Sequence, residues 1–175
     1  EDVNGDGRDD VIVGVPNADR DDSACPSALS NRGVVRIYSG ADGSILHRFC
    51  GNAPETYFGS DVSSAGDVNG DGRSDLIVGA SGAHFDQTAA CSQTKLSRGI
   101  ARVYSGADGS ILHRFCGDST GDSFGFSVST AGDVNRDGRD DVIVGAPFAD
   151  SDAMACGTAE ARGIARVYSG ADGSV

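Results

Sequence analysis

Asp67-Val68-Asn69-Gly70-Asp71-Gly72-Arg73-Ser74-Asp75, running directly into Leu76-Ile77-Val78-Gly79-Ala80, is the stretch from which the rest of the chain can be placed. It has two further copies. Asp2-Val3-Asn4-Gly5-Asp6-Gly7-Arg8-Asp9-Asp10 leads into Val11-Ile12-Val13-Gly14, and Asp133-Val134-Asn135-Arg136-Asp137-Gly138-Arg139-Asp140-Asp141 leads into Val142-Ile143-Val144-Gly145. Each nonapeptide carries side-chain oxygen at positions 1, 3, 5 and 9 and Gly at position 6. A short loop wraps hard oxygen ligands around Ca²⁺ in this way: alternate side chains turn inward, a main-chain carbonyl serves at position 7, and Gly allows the bend.

The expected ligands are Asp2, Asn4, Asp6 and Asp10; Asp67, Asn69, Asp71 and Asp75; and Asp133, Asn135, Asp137 and Asp141. The carbonyls of Arg8, Arg73 and Arg139 complete three Ca²⁺ sites. A metal-free turn needs residues tolerant of positive φ, but it does not need a carboxylate at every second position. Position 12 is Val13, Val78 or Val144, where an EF-hand has its bidentate Glu, and an apolar strand pattern follows. The loops are therefore not EF-hands. The absence of His and Cys from the donor set favours Ca²⁺ over zinc. A structural role is expected, the ion pinning the turn between two strands.

Around the middle loop the pattern is that of short strands. Phe58–Gly66 enters the loop, Asp75–Ala80 leaves it as a run apolar on consecutive positions, Gly99–Tyr104 alternates, and Ile111–Cys116 follows an Asp108-Gly109 turn suited to a tight hairpin. No stretch has helical periodicity. The first Asp of each loop recurs after 65 and then 66 residues (Asp2, Asp67, Asp133). A four-stranded unit at this period predicts an all-β chain of β-propeller blades, each an antiparallel sheet that needs neighbours to cover its faces. The expected divisions are blade 1 over residues 1–57 without its first strand, blade 2 over 58–123, and blade 3 over 124–175 without most of its fourth strand. About 2.7 blades do not close a ring. The pattern is that of a segment of a longer array, or of a protomer completed by other copies through open strand edges.

The residues resemble the FG-GAP repeat of integrin α-subunit propellers and their bacterial relatives. The resemblance rests on Phe58-Gly59 and Phe124-Gly125 ahead of the loops, on the loops themselves, and on Val144-Gly145-Ala146-Pro147 after the third. Val15 and Ser81 depart from Gly-Ala-Pro in the first two copies, and Arg136 replaces a loop Gly. The resemblance implies a propeller, usually seven-bladed, with Ca²⁺ between strands one and two of a blade. It also implies metal loops on one face and variable loops on the other. In that fold Cys25 and Cys50 fall at one end of a blade, as do Cys91 and Cys116, so disulfides Cys25–Cys50 and Cys91–Cys116 are expected, leaving Cys156 odd. Pairing between blades (Cys50–Cys91 and Cys116–Cys156) is the alternative.

The formal charge of −12 with no basic stripe excludes nucleic acid as an expected partner, and no apolar run reaches the roughly 20 residues of a membrane span. Three bound Ca²⁺ ions would halve that charge. Disulfides place the chain outside the cell or at its surface. His47 and His113 occupy equivalent places in fourth strands and read as exposed outer-strand residues. His84 stands in a variable loop without an evident partner. Tyr38, Tyr104 and Tyr168 read as packing between blades, and Asp42, Asp108 and Asp172 as hairpin turns. Asp19, Asp21, Asp22, Asp150 and Asp152 make two variable loops acidic. No nucleophile–base constellation stands out. The expected function is a non-enzymatic, Ca²⁺-binding adhesion or assembly module, filament formation included, with protein or glycan ligands at the variable loops. The alternatives are a lectin-like propeller and the accessory propeller of a secreted enzyme.

Overall fold

In a computed structural model of the chain, residues 1–20, 25, 27–84, 96–149 and 162–175 are described. Ten strands occur among them: β1 (Val11–Val15), β2 (Val34–Tyr38), β3 (Ile45–Cys50), β4 (Phe58–Gly66), β5 (Asp75–Ala80), β6 (Ile100–Tyr104), β7 (Ile111–Cys116), β8 (Ser127–Gly132), β9 (Asp141–Ala146) and β10 (Ile164–Tyr168). They form three antiparallel sheets in the orders β1-β2-β3, β4-β5-β6-β7 and β8-β9-β10. The chain is all-β, as expected, and its sheets are propeller blades in series. Among the described residues no helix is long and apolar enough to cross a membrane.

The sequence explains where each strand turns. Between β6 and β7 the backbone N–H of Ser105 donates to the Ser110 carbonyl at 2.8 Å, and Gly109 takes the left-handed φ of +74° that the tight hairpin demands. Asp108 accepts the N–H of Ser110, and Asp42 and Asp172 do the same for Ser44 and Ser174. These three are hairpin residues, as predicted.

The core lies between the sheets. Leu76, Val78 and Ala80 on one face of β5 pack with Val35, Ile37 and Phe58 against the first sheet. Ile77 on the other face packs with Val103, Val142 and Val144 against the third. All six residues of β5 are consequently buried, which accounts for its unbroken apolar run. The equivalent positions on β1, Val11, Val13 and Val15, are exposed.

Neighbouring sheets meet backbone to backbone. A Cβ on Gly14 would lie 2.3 Å from the Gly59 carbonyl oxygen, and one on Gly79 would lie 2.0 Å from that of Gly125. The Phe-Gly of one blade thus seats on the penultimate Gly of the second strand of the blade before it. The aromatic residues repeat the contact: Phe49 stacks on Tyr104 with centroids 4.3 Å apart, and Phe115 on Tyr168 at 4.0 Å. Tyr104 and Tyr168 are inter-blade packing, as predicted.

Candidate metal centres

The three nonapeptides lie along one edge of the sheets, where the Asp-Gly hairpins also turn. In the middle loop the first carboxylate organises the turn. Asp67 Oδ1 accepts the N–H groups of Gly70 and Asp71 at 2.7 and 3.0 Å, and Oδ2 accepts that of Gly72 at 2.8 Å. Asn69 Oδ1 accepts from Asp71 N–H, and Asp71 Oδ1 from Arg73 N–H. Asp2, Asn4 and Asp6 repeat this pattern with Gly5, Gly7 and Arg8. Asp133, Asn135 and Asp137 repeat it with Gly138 and Arg139. Gly7, Gly72 and Gly138 at position 6 have φ between +83° and +89°, the conformation that selects glycine there. Arg136, in place of the position-4 glycines Gly5 and Gly70, also lies at positive φ (+63°).

The ninth residue is the buried one. Asp10, Asp75 and Asp141 are each buried, Asp75 with no exposed surface at all. Asp75 Oδ2 accepts from Val68 N–H at 3.0 Å, and Oδ1 from Gly106 N–H at 3.0 Å in the hairpin. Asp10 does the same with Val3 and Gly40, and Asp141 with Val134 and Gly170. Burial pushes the Asp75 carboxyl up to about 6, with the neighbouring Asp71 carboxylate adding to the rise and the N–H groups of Gly106, Asn69 and Val68 opposing it. Asp2 is held below the usual carboxylate range, chiefly by the N–H of Gly7, with smaller help from Gly5, Asp6 and the Arg73 guanidinium of the next blade.

Among the described residues no group of three or more His, Cys, Asp or Glu side chains is gathered so as to hold a metal ion. The loop carboxylates are turned to the loop's own N–H groups. The donor set still fits a hard divalent cation: it consists of oxygen alone, and it includes a buried carboxylate whose charge faces another carboxylate.

At the opposite edge Cys25 is disulfide-bonded to Cys50, with Cα atoms 6.2 Å apart. This is the expected pairing within a blade, and it rules out Cys50–Cys91. Cys116 is also disulfide-bonded. Cys91 and Cys156 lie outside the described residues, as do Asp21, Asp22, Asp150 and Asp152. Asp19 is exposed and accepts the N–H of Asn31 at 2.9 Å.

Three features differ from the sequence reading. His47 and His113 are half-buried rather than exposed: their Nε2 atoms lie 2.8 and 2.7 Å from the carbonyls of Gly106 and Gly170 in the next blade's hairpin. His84 has a partner, its Nδ1 accepting the N–H of Ser97 at 2.7 Å. Lastly, Glu55 gathers the hydroxyls of Ser30 and Tyr57 and the amide of Asn31, a group found, among the described residues, only at the first junction. Glu55 and Tyr57 adopt φ of +55° and +50°, where the following junction places Gly121 and Ser123. The sequence signal for that group is its lack of repetition in an otherwise repetitive chain.

A profile of the FG-GAP repeat matches residues 1–38, 58–90 and 124–168. Integrin alpha-V of Gallus gallus is 28% identical over 169 residues, covering 97% of this chain. Integrin alpha-5 of Xenopus laevis is 31% identical over 175 residues, also covering 97%. The chain spans 14% of the length of each of these relatives. Among solved structures, the rhamnogalacturonan lyase YesW superposes with a TM-score of 0.56 at 18% identity, over 99% of this chain and 31% of the lyase. At that identity the likeness is one of fold. Three matched repeats, each with its Asp/Asn loop and the last two with the Phe-Gly seat, make this chain a member of the FG-GAP repeat family.

Proposed function

We propose that the chain is a calcium-stabilised, non-enzymatic propeller segment that serves extracellular adhesion or structural assembly. The observation that carries this reading is the threefold loop with oxygen side chains at positions 1, 3 and 5 and a buried carboxylate at position 9, above all Asp75, which has no exposed surface. Oxygen ligands from Asp2, Asn4, Asp6 and Asp10, and from their equivalents in the other loops, would hold one Ca²⁺ per loop, with the carbonyls of Arg8, Arg73 and Arg139. The ion's charge would relieve the repulsion among each loop's carboxylates. The integrin relatives support adhesion as the role, and the Cys25–Cys50 disulfide supports an oxidising, extracellular setting. Further blades, of the same polypeptide or of other copies, are expected to cover the exposed Val11, Val13 and Val15 face and Val134.

The test is a thermal melt with Ca²⁺ and with excess chelator. A ligand at one hundred times its Kd adds about 2.7 kcal/mol per site. For a chain of this length that amounts to roughly 5–10 °C per occupied loop. A melting curve indifferent to chelator would refute metal-binding by the loops.

A further inference from the structure

The loops touch one another across the blade junctions, and the contacts converge on the residue at position 8. Asp140 of the third loop donates its N–H to the Asp67 carbonyl at 3.1 Å, and its Oδ2 accepts the N–H of Asp67 at 2.8 Å. Both backbone polar groups of Asp67 are therefore held by a single residue of the next blade, while the Asp67 carboxylate gathers its own loop. Gly66 makes room for this, since a Cβ there would lie 2.1 Å from Asp140 Oδ2. Arg139 of the same loop reaches back over the middle loop, its Nε 3.8 Å from where a Cβ on Gly70 would stand.

The first junction has the same frame with the carboxylate moved across it. Ser74 donates its N–H to the Asp2 carbonyl at 3.2 Å, and its hydroxyl donates to Glu1 Oε2 at 2.8 Å. Arg73 Nε lies 3.3 Å from the Cβ position of Gly5. The contact between loops thus uses a carboxylate at each junction, that of Glu1 on the near side or of Asp140 on the far side.

We infer that Asp140 and Ser74 are positioning residues for the cation loop of the preceding blade, so that each loop's affinity depends on the docking of the blade behind it. This rests on the reading of the loops as cation sites. A nine-residue loop crowded with carboxylates resists closing on itself, and a neighbour that fixes its first ligand residue removes part of that cost. By reciprocity, cation binding in a loop favours docking of the next blade by the same factor. The third loop is the natural comparison. Val134 there is 61% exposed, where Val68 is fully buried under Gly170 of the next blade, so the third loop of this chain should bind the cation least tightly of the three.

The experiment is a Ca²⁺ titration of the full chain, read loop by loop from the amide resonances of Gly7, Gly72 and Gly138 in heteronuclear NMR spectra. Asp140→Ala removes an acceptor with a full charge, so the Kd of the middle loop should rise about tenfold while the first loop is unmoved. Asp140→Asn keeps an acceptor oxygen and should restore most of the affinity. If Asp140→Ala does not fold, Ser74→Ala releases the Glu1 carboxylate, on the residue just before the first ligand Asp2, while the Ser74 N–H stays on the Asp2 carbonyl, and the first loop alone should weaken. A middle-loop Kd unchanged in Asp140→Ala, or an equal loss in all three loops, overturns the inference and leaves the cation sites standing. No Ca²⁺-dependent shift in any loop of the unaltered chain overturns both.

Discussion

The contact between Gly79 and Gly125 gives the sharpest test of how the blades are held together. Gly79 lies in β5 and does not have a left-handed φ, so its backbone accepts alanine without strain. What forbids alanine is the neighbouring blade: the new Cβ would stand 2.0 Å from the carbonyl oxygen of Gly125 and 3.0 Å from its carbonyl carbon. Relief requires the second and third blades to part by about 1 Å, at which distance dispersion contacts along the interface are largely lost. Overpacking of this kind costs about 1–3 kcal/mol, set against a gain of at most about 1 kcal/mol from replacing glycine in a strand. Taking the middle of that cost, the net loss is about 1–2 kcal/mol, so Gly79→Ala should lower the melting temperature by roughly 2–8 °C, at 2–4 °C per kcal/mol for a chain of this size. Gly145 is the built-in control. It is the equivalent residue of β9, and a Cβ there meets only Ser127 at 3.7 Å, so Gly145→Ala should melt with the unaltered chain or slightly above it. Circular dichroism melts of the two variants side by side decide the matter. Equal stability of Gly79→Ala and Gly145→Ala, in either direction, would show that the Phe-Gly seat does not set the spacing of the blades.

The other contacts between blades and within them give further expectations. Phe115→Ala removes a buried ring stacked 4.0 Å from Tyr168 and should cost about 3–5 kcal/mol in chemical denaturation; a loss below 1 kcal/mol would mean that the stack contributes little. His113→Ala deletes the 2.7 Å contact to the Gly170 carbonyl and should cost about 1 kcal/mol. His47→Ala should match it, because the two junctions share one geometry, and clearly different losses would contradict that equivalence. Replacing both Cys25 and Cys50 by Ala opens a loop closed over 25 residues and should lower stability by about 3 kcal/mol, measured by urea unfolding against the oxidised chain.

What could be read from the sequence was local. The strand limits around the middle loop follow from runs of apolar residues punctuated by Gly and Asp, and the structure starts β5 at Asp75 and ends β7 at Cys116 as the pattern indicates. The position-9 aspartates stood out as part of a spacing, and their burial adds a reason for that spacing: one carboxylate ties the loop to the hairpin through Gly40, Gly106 or Gly170. The misreading of the fourth-strand histidines concerns partners in another blade. His47 meets a carbonyl 59 residues further along, and alternation along β3 reports only that its side chain lies on an outer face. The difference between Ser74 and Asp140 at position 8 is matched on the preceding blade by Glu1 and Gly66, which no local pattern registers. Arg98 is buried on the Gly117 carbonyl, with Nε at 2.8 Å, as Arg32 is on Gly51. Long cationic side chains can bury their stems and still find acceptors, and periodicity does not register that.

These contacts give the repeat signature a physical meaning. A strand, a hairpin and a metal-type loop can each form within one blade, but the residues that distinguish this repeat lie where two blades touch. Gly59 and Gly125 have φ of +83° and +78°, and their carbonyls press on Gly14 and Gly79 of the blade before. Phe58 and Phe124 sit edge-on to Tyr104 and Tyr168. The penultimate glycine of the second strand is thus required by the following blade and not by its own strand. The next residue answers to the opposite neighbour: Ala80 and Ala146 are buried in the core shared with the preceding blade, whereas Val15 stands exposed. Departure from Gly-Ala-Pro at Val15 therefore leaves the Gly14–Gly59 seat intact, and so does Ser81 with respect to Gly79–Gly125. A blade is selected to be a good neighbour on both faces at once, which explains how a chain with few aromatic residues and no Trp can bury every residue of β5.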